Sequence, residues 1–337
     1  MLVSQRLARS KQVGPSNREE RLDWAMRAVR EPSSPDLEDR DVFDAAEYLL
    51  DELVSATRDG REPRSELLLT DFLSLMASRL RLSSLIEAGQ ECLNNLIRNE
   101  QPGLASLLAS ELAMACCRSG EYGDGLAYSE RAIHLAEQAM SELMALPGIL
   151  DDDSLDDPLS NAQAALALAR QAQGACLTSV GDYSAAQESL DDVEIPYERP
   201  DILFFQALCE ARLGWATSSD SVLETAGVAF NTAHRYGLWP SRCSLAAVLL
   251  AAALEKNGKP REAKRHLLPG FEYLIRCRLE LLLPPVLRPL EQAFHGRPDL
   301  GNLVERVRGF CSIAQDRRPE PEERSRLLIE IRERAVA

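Results

Sequence analysis

The sequence predicts an all-α fold of stacked helical hairpins, and three observations predict it. Apolar residues recur at intervals of three and four along most of the chain, and no run alternates β-branched residues as a strand would. Short glycine-containing turns separate segments whose small residues stand at fixed offsets. Leu, Ala, Glu and Arg are abundant while aromatic residues make up only 5%, a balance that suits helices better than sandwiches or barrels. Stacked repeats accommodate 337 residues as one body, where ordinary globular domains would give two.

Residues 1–18 read as a basic flexible tail, with Arg6, Arg9, Lys11 and Arg18 and no acid before Glu19. An Arg-rich, acid-poor start also fits an organelle transit peptide, the alternative to a cytoplasmic location. Residues 19–103 form an N-terminal helical region continuous with the hairpin repeats. Within it, Val42, Ala45, Ala46, Leu49, Leu50 and Leu53 mark an amphipathic helix closed by Asp59-Gly60. Leu68, Phe72, Leu75, Met76 and Leu80 mark a second over about 64–82, and a third spans Ser83 to Arg98. Proline and glycine punctuate the chain at Gln101-Pro-Gly103, Pro147-Gly148, Arg199-Pro200, Trp239-Pro240 and Arg318-Pro-Glu-Pro321. Residues 104–280 carry the repeats, interrupted by an acidic loop at 147–158, and residues 281–337 supply C-terminal capping helices. The apolar Leu279-Glu-Leu-Leu-Leu283 segment either caps the stack or pairs with a second copy in a homodimer.

The repetition is clearest when the chain is aligned on Gly120, Gly181, Gly214 and Gly258. Seven residues earlier stand Ala113, Gly174, Ala207 and Ala251; five residues later stand Gly125, Ala186, Ser219 and Ala263. Two antiparallel helices approach closely only where side chains are short, so small residues on both sides of a turn are what a hairpin needs. The aligned glycine suits the left-handed residue that ends a first helix.

These segments resemble tetratricopeptide repeats, whose pattern has a small residue on the first helix, a Gly-Asp-Tyr type of turn and small residues on the second. Gly120-Glu121-Tyr122 and Gly181-Asp182-Tyr183 carry the likeness, while Gly214-Trp215-Ala216 and Gly258-Lys259-Pro260 lack the turn aromatic. The glycines lie 61, 33 and 44 residues apart against a family period of 34, so only the middle interval fits and the repeats are degenerate. The resemblance covers about residues 104–280 and implies a right-handed α-solenoid, a TPR-like superhelix in which first helices line a concave groove.

Chemistry-bearing motifs are sparse. Phosphate loops, dinucleotide fingerprints, HExxH and GxSxG are all missing, and the aspartates of the 147–158 loop lack EF-hand spacing. His134, His234, His266 and His295 are far apart in sequence, and the eight cysteines form no CxxC, so no metal or cofactor is expected. With 53 acidic against 38 basic residues, the net charge of -15 argues against nucleic acid as a partner, and no apolar run reaches the roughly 20 residues of a membrane span.

Stacked hairpins offer a groove instead. Two residues before each aligned glycine stand Arg118, Ser179, Arg212 and Lys256, a basic edge suited to a carboxylate-bearing protein or peptide partner. Cations at these helix ends also favour the helix dipole whatever the function. Met114, Gln171, Thr178, Phe204 and Glu255 share the same face, with Phe204 as the apolar anchor. The function expected is a noncatalytic protein-interaction scaffold or adaptor. A peptide- or ligand-sensing domain of the bacterial transcription-regulator kind is the alternative, and an enzyme in a helical toroid is a third. An open groove fits the first, a closed cavity the second, and converging titratable groups the third.

Overall fold

A computed structural model describes residues 17–30, 39–59, 82–145, 158–195 and 199–336. The tail before residue 17, the helix expected over about 64–82 apart from its last residue, and the acidic loop up to residue 157 lie outside the described residues. The described residues are all-helical and contain no strand: α1 (Arg18–Arg30), α2 (Asp39–Arg58), α3 (Leu82–Arg98), α4 (Pro102–Ser119), α5 (Tyr122–Met144), α6 (Pro158–Val180) and α7 (Tyr183–Asp191) come first. Next come α8 (Pro200–Ala216), α9 (Val222–Arg235), α10 (Pro240–Lys256), α11 (Pro260–Arg276), a 3-10 turn (Glu280–Leu282), α12 (Pro284–Ala293), α13 (Pro298–Asp316) and α14 (Pro321–Val336). Proline opens many of these helices, where its missing N–H leaves no hydrogen bond unmade.

Consecutive helices pack on one another from α3 through α11. In addition α4 touches α6, and α6 touches α8, so alternate helices lie side by side. The contacts fix the sense of the packing. Ser106 donates to Ala132 O at 2.8 Å, while a Cβ placed on Gly125 would lie 3.3 Å from Ala113 O. Moving back from Ala113 to Ser106 on α4 thus matches moving forward from Gly125 to Ala132 on α5, and the two helices run antiparallel. Gly174 meets Ala186 O in the same way at 3.4 Å. Ala113, Gly125, Gly174, Ala186, Ala207, Ala251 and Ala263 are all buried.

Gly120, Gly181 and Gly258 adopt φ of +86°, +90° and +73°, the left-handed conformation that ends α4, α6 and α10. Gly214 does not, which corrects the alignment. It lies inside α8, and the left-handed residue of that turn is Ser218 at φ 60°. Trp215 carries α8 onward because its side chain is buried and donates to Gln292 Oε1. Gly214 serves close approach instead, since a Cβ there would come within 3.2 Å of Val222 Cγ2.

Gly270 gives a sharper test of this packing. A Cβ on it would fall 2.9 Å from Ser244 O and 2.7 Å from Val248 Cγ2, and the backbone oxygen has no freedom to retreat. Gly270→Ala is therefore expected to lower stability by about 1–3 kcal/mol in urea denaturation despite the better helix propensity of alanine. Gly227→Ala, with nothing within 4 Å, should raise it by up to about 1 kcal/mol. Equal effects at the two sites would refute the close approach of α10 and α11.

After α11 the pattern changes. Leu279, Leu282, Leu283, Val286, Leu287 and Leu290 are buried, and α12 turns inward against α4, α8 and α10. Helix α14 packs on α11, and Arg318 just before it reaches Asp44 at 3.3 Å and Glu47 at 2.7 Å on α2. The segment expected to form a cap thus lies against helices from both halves of the repeat region.

Candidate functional site: a basic recess beneath α12

Where α12 packs against α4, α8 and α10, it leaves two recesses that share lining residues. One is walled mainly by Phe204, Phe205, Leu208, Leu245, Leu282 and Val286. The other is polar and carries Thr178, Ser179, Ser218, Gln292 and three arginines, Arg118, Arg212 and Arg288. No aspartate or glutamate lines either one among the described residues. Arg118, Arg212 and Pro285 border both, and Arg118 with Met114 also borders a narrower cleft between α4 and α6 that contains Glu111 and Gln171. In a chain of net charge -15 this is a local concentration of cations.

Arg118 is the centre of the arrangement. Its side chain stands on the last turn of α4, only 8% of the residue is exposed, and Nη2 has no hydrogen-bond partner. Burial pulls its pKa below the usual arginine value, opposed by the charge of Glu111. Gln315 of α13 donates to Arg118 O at 3.1 Å and fixes the end of the helix. Arg212 is buried as well and donates to Ser179 Oγ at 3.3 Å, which ties α8 to α6. Arg288 is exposed at the mouth.

Cys117 lines the polar recess next to Arg118. Its thiol is held below the ordinary cysteine range by the neighbouring Cys176 thiol and the Arg212 guanidinium, against the opposing effect of burial. On the apolar side Arg242 lies 4.5 Å over the Phe205 ring, and burial lowers its pKa to about 9.

The residues expected at an open groove divide. Arg118, Arg212, Met114, Thr178 and Ser179 converge on the recess. Gln171 is spent on Ile202 O at 3.0 Å and Gln206 Oε1 at 3.3 Å, and Thr178 bonds back to Gly174 O at 2.8 Å. Phe204 is 0% exposed, so as a free anchor it is corrected: its neighbour Phe205 is the partly buried ring that borders both the apolar recess and the cleft. Lys256 is exposed and lies 5.2 Å over the Trp215 ring, while Glu255 pairs with Arg297 at 2.8 Å, so neither lines the recess. Arg242, Arg288 and Pro285 carried no local signal in the sequence.

His234 and His266, far apart in sequence, both flank Phe230, with ring centroids 4.0 and 4.8 Å away. They line a separate outer depression. Among the described residues no group of three or more His, Cys, Asp or Glu is placed to hold a metal ion, and no helix is long and apolar enough to cross a membrane. No protein-family model matches this chain, and no curated protein sequence or solved structure matches it either.

Proposed function

We propose that this chain is a right-handed α-solenoid of tetratricopeptide type that works as a noncatalytic binding module, and that it holds its ligand in the recess beneath α12. Antiparallel helix pairs joined at left-handed glycines support the repeat architecture. The observation that carries the function is that α12 packs against α4, α8 and α10 and partly covers two recesses where a scaffold would leave an open groove. That favours a ligand- or peptide-sensing regulator over an adaptor with an exposed groove. The enzyme reading has less support, since among the described residues neither paired carboxylates nor histidines face the recess.

Hydrogen–deuterium exchange on the full chain tests this reading. A fraction of cell extract holding small molecules and short peptides should slow exchange in the last turns of α4 and α8 and throughout α12, and the protein fraction should not. Protection confined to outer surfaces, produced by the protein fraction alone, would favour the scaffold.

A further inference from the structure

We propose that the recess beneath α12 is a site for a carboxylate carried on an apolar body, such as a medium-chain or aromatic carboxylic acid. Arg118 takes the carboxylate, and the wall made by Phe205, Leu245 and Val286 takes the body. The inference rests on the reading of this space as a ligand-holding cavity and adds the chemical class of its occupant.

The charge of Arg118 is poorly compensated. A guanidinium taken out of water is unfavourable unless its donors are used, and Arg118 is 8% exposed with Nη2 unbonded. The opposite charge that acts on it, Glu111, lies two turns back on the same helix and lines the narrow cleft but neither of the two larger recesses. Arg118 therefore stands, with an unused donor at Nη2, where an apolar space and a polar mouth meet. A bare inorganic anion would satisfy the cation and leave the apolar space to water; an uncharged apolar molecule would do the reverse. A carboxylate on an apolar body satisfies both, and its two coplanar oxygens match a guanidinium fork. Arg212 also borders both recesses, whereas Arg288 borders only the polar one, so two arginines reach the junction and a third stands at its entrance.

Isothermal titration calorimetry with the full chain tests the proposal, with octanoate and naphthoate as probes and octanol, naphthol and inorganic phosphate as comparators. Both carboxylates should bind about tenfold or more tightly than the matched alcohols or phosphate. Arg118→Gln should weaken the carboxylates by about tenfold or more and leave the alcohols unchanged. If that variant fails to fold, Arg212→Gln on α8 gives the same discrimination. Alcohols that bind as well as acids, or phosphate that binds as well as octanoate, would overturn the proposal. Failure of every carboxylate while the small-molecule fraction still protects the recess walls would overturn this ligand class and leave the cavity reading standing. If no probe binds and no fraction protects those walls, both fall.

Discussion

Arg324→Met is expected to lower the free energy of unfolding by about 3–5 kcal/mol, because it strips a buried carboxylate of its close counter-charge. Arg324 on α14 binds Glu280 through two bonds of 2.9 Å, donates a third to Ile275 O at 2.7 Å, and lies 5.4 Å over the Phe310 ring. The two side chains are 6% and 3% exposed. Such a pair contributes little net stability when both members are present, since the attraction roughly offsets the desolvation, but losing one member leaves the desolvation uncompensated. The double change Glu280→Leu with Arg324→Met should therefore recover most of the loss. Urea denaturation of the four proteins checks this as a cycle. A single-variant loss under about 1 kcal/mol would mean that water reaches the pair. Glu280 opens the turn that leads into α12, so the single variant should also speed amide exchange in the cover over the recess.

Much of this architecture was legible because it is set locally. The offsets around Gly120, Gly181 and Gly258 follow from helix geometry and from the one backbone conformation that glycine reaches without strain. Gly214 misled for a physical reason: glycine serves left-handed turns and close helix contacts alike, and sequence does not say which. Arg118 and Arg212 were legible as cations near helix ends. Their burial was not, because α12 covers them from more than 70 residues further along the chain. Nor could spacing decide between Phe204 and Phe205, whose environments depend on α10 and α12. Arg288 has no local mark at all, being an exposed arginine that becomes part of a site only where its helix lands.

Glu111 should make the folded chain lose about 3 kcal/mol of stability as pH rises from roughly 4.5 to 7, and Glu111→Gln should abolish that loss. Burial lifts the carboxyl to about 7, against an ordinary 4.5, and the nearby charge of Arg118 offsets this only in part. Among the described residues, the others that line the cleft give no compensating charge: Gln171 is neutral, and burial pushes the Cys209 thiol up to about 12. Below 4.5 the folded and unfolded chains both hold the proton. Between the two values only the folded chain holds it, so each rise in pH favours unfolding; above 7 both have released it and the penalty is complete. Thermal unfolding of the wild type and Glu111→Gln at pH 4, 5.5, 7 and 8.5, compared as a difference, isolates the group from the other acids; parallel curves would refute it. The same carboxyl links the site to protons. An anion bound at Arg118 cancels the charge that draws the Glu111 pKa down, so octanoate binding near neutral pH should take up protons. Calorimetry in buffers of different ionisation enthalpy should detect that uptake in the wild type and lose it in Glu111→Gln.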